Sequence, residues 1–443
     1  MTHRNRSVAE EIRGFVAALI GDAPPVGLRF WDGSTLGPTD GDAVLVLRSP
    51  LALRYLLWSP GELGLARAFV SGELELEGDI YAALGLREQL GGSGGDVHVR
   101  VGGTERLRLA AATRRLGALG PPPPPPPEEV RLAGGRHSKA RDAAAISHHY
   151  DISNDFYRLV LGETMTYSCA LFRSERMSLD DAQRAKYDLI CRKLGLAPGM
   201  RLLDVGCGWG GMVLHAAEHY GVRAVGVTIS RQQARLAAER IAAAGLTDQV
   251  EIRVQDYRDV GDGPYDAISS IGMFEHVGLD RLGEYFGALR SLMREEGRVL
   301  NHAISRPPGQ EGRAAFKRRS FIERYVFPDG ELHEVGSVVS AMQACGLEAR
   351  DVECLREHYA TTLRRWVANL EANWDEALAL VGPGRARVWQ LYMAASALNF
   401  AANRTSIHQV LAVRARQDGA SGMPPTREEL LGLARSDRES FAD

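Results

Sequence analysis

The sequence predicts a doubly wound α/β domain that follows a small α+β domain. From Asp181 onward, segments with helical periodicity alternate with short apolar segments that are typical of strands. This alternation favours a mostly parallel sheet covered by helices on both faces. Seven consecutive prolines at 121–127 separate this region from an earlier one with a different pattern. At 443 residues the chain also exceeds the length at which one hydrophobic core usually stops growing.

Residues 1–120 predict the small α+β domain. The segments VGLRFWDGSTLG and DAVLVLRS alternate apolar and polar residues around Gly and Asp, which indicates short strands. Amphipathic segments such as VAEEIRGFVAALI indicate helices around them. This region carries no catalytic constellation, so we expect it to serve binding or assembly.

The prolines predict a linker over 121–140, with the second domain over 141–443. Proline has no backbone donor and favours an extended polyproline II spacer. The alternative interpretation is a proline-rich ligand for an aromatic groove of a partner protein.

The composition excludes several classes of protein. Charged residues make up 25% of the chain, and no run of about 18 apolar residues offers a membrane span. A net charge of -3 gives no global reason to bind nucleic acid or an anionic membrane. The five cysteines form no CxxC pair, so neither a disulfide framework nor a metal site is expected. The first residues lack the pattern of a secretory signal, and we expect a cytoplasmic protein.

A glycine-rich turn is the clearest functional motif. The segment DVGCGWGG, with Asp204, Gly206, Gly208 and Gly210, follows an apolar strand segment and precedes a helical one. Glycines there permit a tight turn and expose amide donors at a helix N-terminus. The acidic residue directly before the turn suits a cofactor that carries an ammonium and no phosphate. The motif therefore favours a class I Rossmann-like, S-adenosylmethionine (SAM)-dependent methyltransferase over a GxGxxG dinucleotide-binding protein.

The ends of the next two predicted strands supply further cofactor candidates. Thr228 and Gln233 carry a hydroxyl and an amide that suit ribose hydroxyls. Asp256 and Tyr257 carry a carboxylate and an aromatic face that suit adenine. Ser230 is interpreted as a helix N-cap and not as a ligand.

Several segments together, among them SHHYDISNDFY, MTYSCALF, DVGCGWGG, GMFEHVG, LNHAIS and HYATTL, resemble the cyclopropane-fatty-acyl-phospholipid synthase family, which includes the mycolic acid cyclopropane synthases. The resemblance runs from about His148 to the end. Within the family, SSIGMFEHVG, FIERYVFPDGEL and VWQLYMAASALNF look most like the branch that makes tuberculostearic-type, 10-methyl fatty acids. The N-terminal segment resembles the small lipid-binding-type domain of the bacterial synthases.

The resemblance implies two groups of site residues. Cofactor contacts fall on Tyr167, Ser168, Gly206, Gly208, Thr228, Gln233, Tyr257 and Ile271. The family's bicarbonate site falls on Cys169, Glu275, His302, Ile304 and Tyr359. The implied reaction transfers a methyl group from SAM to the cis double bond of an oleoyl-type phospholipid chain. Bound bicarbonate then deprotonates the carbocation, leaving a 10-methylene branch. A thiolate mechanism for Cys169 is rejected, since its neighbours in the sequence offer no base.

Three alternatives stay open: a cyclopropane product from the same first step, a small-molecule methyltransferase and a non-catalytic lipid-binding protein. The implied partners are an unsaturated phospholipid, the inner face of the cell membrane, a flavin-dependent reductase and further subunits of a homo- or hetero-oligomer, but no nucleic acid. A basic and aromatic segment is expected to contact the membrane, through Arg313, Phe316, Lys317, Arg318, Arg319, Phe321 and Arg324. The cluster His148, His149, Tyr150 is interpreted as loop packing and not as a metal site.

Overall fold

The computed structural model describes residues 6–20, 24–59, 61–91, 111–130, 153–308, 320–328 and 330–432. The chain divides into two compact units. The first, unit 1, comprises Met1–Arg131, Lys317–Pro328 and Trp374–Leu398. The second, unit 2, comprises Leu132–Phe316, Asp329–Asn373 and Asn399–Asp443. Within the described residues, no helix combines the length and apolar character needed to cross a membrane.

The helices alternate with strands through most of unit 2. The α-helices are α1 (Val8–Ile20), α2 (Pro50–Trp58), α3 (Glu62–Val70), α4 (Ile80–Gly91), α5 (Asn154–Leu161), α6 (Leu179–Leu194), α7 (Gly211–Tyr220), α8 (Arg231–Ala243), α9 (Leu282–Ser291), α10 (Phe321–Tyr325), α11 (Val335–Ala344), α12 (Arg356–Ala372), α13 (Trp374–Val381), α14 (Pro383–Ala401) and α15 (Arg427–Leu430). Single 3₁₀ turns lie at Tyr257–Asp259, Phe274–His276 and Leu279–Arg281.

The strands form two sheets. They are β1 (Gly27–Arg29), β2 (Thr35–Leu36), β3 (Ala43–Leu47), β4 (Leu74–Gly78), β5 (Arg201–Val205), β6 (Arg223–Thr228), β7 (Val250–Val254), β8 (Tyr265–Ile271), β9 (Met293–Ser305), β10 (Glu348–Cys354) and β11 (Ser406–Val413). Unit 1 holds a four-stranded sheet of order β2-β1-β3-β4 with helices, as an α+β domain requires. Unit 2 holds a seven-stranded sheet of order β10-β11-β9-β8-β5-β6-β7.

The sheet of unit 2 confirms the predicted doubly wound fold. The strands β9, β8, β5, β6 and β7 are parallel to one another. Strands β10 and β11 add an antiparallel edge that the sequence analysis did not predict. The chain moves outward from β5 to β7, then returns to β8 on the other side of β5. This reversal opens a crevice at the carboxyl ends of β5 and β8, where open α/β sheets bind ligands.

Alternate residues of each strand pack on opposite faces of the sheet. Leu202 on β5 belongs to a core with Ile190 of α6 and Met212 of α7. Its neighbour Leu203 belongs to another core, with Phe286 of α9. Because side chains on a strand alternate with period two, Asp204 shares the α6 face with Leu202. Helices on both faces thus leave little of the sheet exposed.

The prolines pack within unit 1. The hydroxyl of Tyr55 on α2 donates to the Pro124 carbonyl at 2.9 Å, and Trp58 Nε1 donates to the Gly120 carbonyl at 3.0 Å. Proline carbonyls remain good acceptors although the residue has no N–H. Residues 120–124 are therefore held against α2, and residues 131–140 of the predicted linker lie outside the described residues. The compact units also differ in extent from the predicted domains, since two later segments join unit 1.

The predicted membrane-contacting segment is only partly described, and one member is not available for insertion. Phe321 is 3% exposed and its ring lies 5.2 Å from that of Tyr325. The two residues share one side of α10, because they are four positions apart. Arg324 lies 3.6 Å from the buried Glu129 carboxylate. The other members, Arg313, Phe316, Lys317, Arg318 and Arg319, lie outside the described residues, as does the cluster at 148–150.

A buried ion network joins α6 to the edge strand β10. Lys193 is fully buried, and its Nζ lies 2.7 Å from Asp351 Oδ2 and 2.6 Å from Glu353 Oε2. Arg427, half exposed, lies 2.8 Å from Asp351 Oδ1. Removing one partner of a buried pair leaves an uncompensated charge in the interior.

We expect Lys193→Met to lower the free energy of unfolding by about 3 kcal/mol, because buried carboxylates lose their closest cation. Urea denaturation measures the change. The matched control is Arg427→Met, which removes an exposed cation from the same carboxylates and should cost about 1 kcal/mol or less. Equal effects of the two substitutions would contradict this account of the network.

Candidate active site

A cavity of about 160 Å³ lies in unit 2 at the carboxyl ends of β5, β6, β7 and β8. Every predicted cofactor residue except Gly210 lines it, namely Tyr167, Ser168, Asp204, Gly206, Gly208, Thr228, Gln233, Asp256, Tyr257 and Ile271. The residues predicted for bicarbonate do not line this cavity, and their positions are given below. The sheet edge thus gathers residues that are far apart in the chain.

The glycine turn brings backbone close to the cavity. Gly206 has φ of 78°, and a Cβ atom there would meet Met273 Cβ at 2.8 Å. Gly210 has φ of 81° and is the N-cap of α7. A Cβ atom at Gly210 would lie 3.1 Å from Ala237 Cβ of α8, so the glycine lets α7 and α8 approach each other. Gly210 therefore shapes the turn from outside the cavity.

Asp204 is buried at the end of β5. Its Oδ1 accepts a hydrogen bond from Ser269 Oγ at 2.6 Å. Burial raises the pKa of Asp204 to about 6, against the lowering effects of the Ser269 hydrogen bond and the nearby Lys186 ammonium. A carboxylate held in this way favours a cationic partner in the cavity.

The predicted ribose contacts are linked to each other. Thr228 Oγ1 donates to Gln233 Oε1 at 2.9 Å. Ser230 Oγ accepts from the Gln233 backbone N–H at 3.2 Å, which confirms Ser230 as the N-cap of α8. The cap fixes the first turn of α8, so Gln233 is directed to the cavity beside Thr228.

The predicted adenine contacts follow β7. Asp256 accepts from the Arg258 backbone N–H at 3.0 Å and pairs with the Arg258 guanidinium at 2.6 Å. The Tyr257 ring lies 5.2 Å from that of Tyr285. Asp256 therefore closes its own turn as well as facing the cavity.

Sequence reasoning missed Lys186 in the cavity wall. This lysine of α6 is fully buried, and its Nζ donates to Ser168 Oγ at 3.0 Å. Gln183, three residues earlier on α6, donates from its side-chain amide to the Ser168 carbonyl at 2.8 Å. A signal was present, because Ala182, Lys186 and Ile190 are four residues apart and lie on one helix face. A lysine on that apolar face was the unusual feature.

Glu275 lies on the 3₁₀ turn after β8. Its Oε1 accepts from the Ile304 backbone N–H at 2.8 Å. Its Oε2 atom is buried and has no hydrogen-bond partner among the described residues. Burial raises the pKa of Glu275 to about 7, although the hydrogen bond from Ile304 lowers it. The carboxyl group is therefore poised to exchange a proton near neutral pH.

His302 lies on β9, on the same strand face as Ile304, two residues away. Gln409 Nε2 lies 3.2 Å from its Nδ1. Because an amide nitrogen can only donate, Nδ1 accepts, and the proton of a neutral ring belongs on Nε2. That Nε2 atom is buried without a hydrogen-bond partner in the described part of the chain. Burial lowers the pKa of His302 well below its usual value, which keeps the ring neutral.

Cys169 and Tyr359 meet through the Leu355 carbonyl. Cys169 Sγ lies 3.5 Å from that oxygen, and the Tyr359 N–H donates to it at 3.1 Å. Burial raises the pKa of Cys169 far above its usual value, so the residue is a thiol and not a nucleophile. Between the Glu275–Ile304 pair and the Cys169–Tyr359 pair, the described structure has no direct hydrogen bond.

An aromatic series connects the cavity to Tyr359. The rings of Tyr167 and Trp366 lie 5.3 Å apart, those of Trp366 and Tyr359 6.0 Å apart, and those of Tyr359 and Phe400 4.6 Å apart. Trp366 is fully buried. Aromatic rings therefore extend from the cavity to Tyr359.

Comparisons with known proteins agree with this geometry. The family profile described as Mycolic acid cyclopropane synthetase matches residues 137–410. The chain is 44% identical over 436 residues to a probable fatty acid methyltransferase of Mycobacterium tuberculosis, covering 96% of this chain and 98% of that protein. It is 34% identical over 401 residues to tuberculostearic acid methyltransferase UfaA1 of the same organism, with 88% of each covered.

A solved structure extends the comparison to the cofactor. Mycolic acid cyclopropane synthase CmaA1, complexed with S-adenosylhomocysteine (SAH) and CTAB, has a TM-score of 0.57 and 36% identity. The match covers 61% of this chain and 97% of that chain. SAH is what remains of SAM after methyl transfer, so the likeness confirms SAM as the cofactor. Bicarbonate stays a prediction.

We expect Asp204→Asn to stabilise the protein at pH 7.5 and to weaken SAH binding. The folded-state pKa of Asp204 lies above its unfolded value, so its contribution to stability is present below about pH 4 and is lost as the pH rises through about 6. Asparagine avoids that loss, worth about 3 kcal/mol at pH 7.5. The substitution should also reduce SAH affinity about 10-fold.

Urea unfolding at pH 5 and 7.5 and calorimetric titration with SAH measure these two effects. The control is Asp248→Asn, at an exposed carboxylate before β7, which should change neither quantity. A stability gain that does not grow with pH would contradict the assigned pKa.

Proposed function

We propose an acyl substrate for this chain, which belongs to the mycolic acid cyclopropane synthetase family of SAM-dependent methyltransferases. The substrate is a phospholipid with an oleoyl-type cis double bond. The product is a 10-methylene branched chain, the precursor of a 10-methyl, tuberculostearic-type acid. The observation that carries the proposal is the pair of buried atoms Glu275 Oε2 and His302 Nε2, which have no hydrogen-bond partner among the described residues. The aromatic rings that run from the cofactor cavity to Tyr359 support it.

The chemistry requires positioning first and a base second. An alkene is a weak nucleophile, so its π electrons must lie in line with the sulfonium methyl group. The C–S bond breaks as the new C–C bond forms, SAH leaves, and the acyl chain carries a carbocation. Loss of a proton after a hydride shift gives the methylene branch. The cation must be kept from water until then.

The aromatic series of Tyr167, Trp366, Tyr359 and Phe400 suits this intermediate. The rings exclude water, and their faces attract a cation through the ring quadrupole. The series also supplies apolar surface for the acyl chain. These properties support an alkene over a polar small molecule as the methyl acceptor.

The donors and acceptors present fit bicarbonate. When bound, this ion supplies a small base near the cation. Glu275 Oε2 would accept its hydroxyl proton, and the neutral His302 would donate from Nε2 to an oxygen. Tyr359 and the backbone of Cys169 would complete the cage. The Ile304 N–H already donates to Glu275, so we assign Ile304 the role of fixing that carboxylate.

A cyclopropane product remains the second candidate, since relatives carry names of both kinds. The two products share the methyl transfer, and both lose a proton from the new methyl group; they differ in whether a hydride shift precedes that loss. The branched route also requires a reductant, and we propose a flavin-dependent reductase as a partner that saturates the methylene. The lipid substrate further supports contact with the inner face of the cell membrane, and an oligomer remains part of the proposal.

The test uses methyl-deuterated SAM, dioleoyl phospholipid vesicles, bicarbonate and the purified full chain, with mass spectrometry of the released acyl chains. Either product retains two of the three deuterium atoms. Mild hydrogenation then separates them, because a methylene chain takes up hydrogen and a ring does not. An exocyclic methylene is the expected result. A ring would move the assignment to the second candidate, and no incorporation would overturn the acyl substrate.

We expect Glu275→Gln to lower the methyl-transfer rate by about 100-fold or more, because a side-chain amide cannot accept the hydroxyl proton of bicarbonate. The affinity for SAH, measured by calorimetry, should stay unchanged. For the unmodified protein, the rate should rise with pH through about 7, where the buried Glu275 with its raised pKa ionises. Glu295→Gln, at an exposed position on β9, is the control. A full rate in Glu275→Gln would remove this residue from the mechanism.

A further inference from the structure

Lys186 is a buried ammonium with few partners. Its Nζ donates to Ser168 Oγ at 3.0 Å and lies 3.9 Å from the centre of the Tyr187 ring. Ser168 Oγ is the one hydrogen-bond acceptor that the described residues give to this ammonium, which has three N–H groups. Lys193, seven positions along the same helix, is equally buried but lies within 2.7 Å of two carboxylates. Buried charges normally have such partners.

The other cations of the cavity wall are already paired. Among the described residues that line the cavity, Arg258 lies 2.6 Å from Asp256, and Arg281 lies 3.2 Å from Glu284. Lys186 makes no hydrogen bond to a carboxylate. It is therefore the cation of this cavity that is able to accept an anionic group from a ligand.

The sheet order places Lys186 and the adenine contacts at opposite ends of the cavity. Helix α6 packs against β8 and β9. Asp204, at the end of β5, is hydrogen-bonded to Ser269 of β8. Asp256 follows β7, which lies two strands away from β5. Neighbouring strands are about 4.8 Å apart, so the ends of β5 and β7, where Asp204 and Asp256 lie, are about 10 Å apart.

SAM is an elongated molecule with different chemistry at its two ends. The adenine ring stands at one end and the α-ammonium and α-carboxylate of the methionyl group at the other. If adenine lies at Asp256 and Tyr257, the zwitterionic end reaches Asp204, Ser168 and Lys186. The carboxylate Asp204 suits the α-ammonium, which leaves the α-carboxylate to be matched.

We propose that Lys186, together with Ser168, binds the α-carboxylate of SAM. A carboxylate there accepts hydrogen bonds from the N–H groups of Lys186 that Ser168 does not use. Its negative charge also compensates the buried ammonium of Lys186. Burial lowers the pKa of Lys186 to about 7, although Cys169 and Asp204 oppose that change. A ligand carboxylate therefore also favours the charged lysine. The inference rests on the cofactor alone and is independent of the acyl substrate.

The experiment compares SAM with decarboxylated SAM, which keeps the sulfonium, the adenosine and an amine but lacks the carboxylate. Dissociation constants are measured by calorimetry for the full chain and for Lys186→Met, Lys186→Gln and Lys193→Met. Glutamine keeps a donor for Ser168 but no charge. Lys193→Met removes a buried lysine of the same helix that does not line the cavity.

We expect the unmodified chain to bind SAM about 10- to 100-fold more tightly than decarboxylated SAM. Both substitutions of Lys186 should remove most of this preference by weakening SAM alone. Lys193→Met should preserve it in the folded fraction. The unmodified chain tests the idea even where a variant fails to fold, because equal affinities for the two ligands would overturn it. So would a Lys186 variant that weakens both ligands equally, since that result indicates a purely structural role.

Discussion

The reversal of the chain at β5 is the constraint on which the site depends. Along the chain, β5, β6 and β7 lie progressively closer to one edge of the sheet. Strand β8 then pairs with β5 on the side opposite β6. Loops leaving β5 and β8 therefore diverge, and the crevice between them cannot be closed by a connection. The glycine turn after β5 and the Glu275 turn after β8 face each other across this opening. The glycine turn and the Glu275 turn are neighbours because of the sheet topology and not because they are close in the chain.

The site concentrates polar groups in an interior that does not favour them. Asp204, Lys186, Glu275 and His302 all have pKa values displaced by burial toward the neutral form. Such groups cost stability unless a partner is supplied. The interactions that stabilise the fold lie elsewhere, in the apolar packing on both faces of the sheet and in the ion network of Lys193. On a single helix, α6, Lys186 lines the cavity and Lys193 holds the buried ion network.

Local signals in the sequence were enough to predict the centre of the fold. Strands β5, β6 and β8 are mostly apolar, β7 alternates apolar and charged residues, and the turn after β5 is rich in glycine. Periodicity and turn chemistry therefore identify these elements. Strands β10 and β11 were missed because the surrounding sequence is helical and their pairing is an edge interaction decided by tertiary contact. The resemblance supplied the residues predicted for a bicarbonate site. Lys186 needed the helix face to be known, because a lysine is ordinarily exposed.

Unit 1 is assembled from pieces that lie far apart in the chain. The Phe321 N–H donates to the Glu62 carboxylate, and the Arg324 carbonyl accepts from the Val130 N–H at 2.7 Å. Arg387 reaches Glu75, 312 positions earlier. On a ribosome that adds about 5–20 residues per second, the N-terminal sheet waits about 15–60 s for Arg387 to be synthesised. The first segment to emerge is thus among the last to be completed, which exposes its unfinished surface to chaperones throughout synthesis.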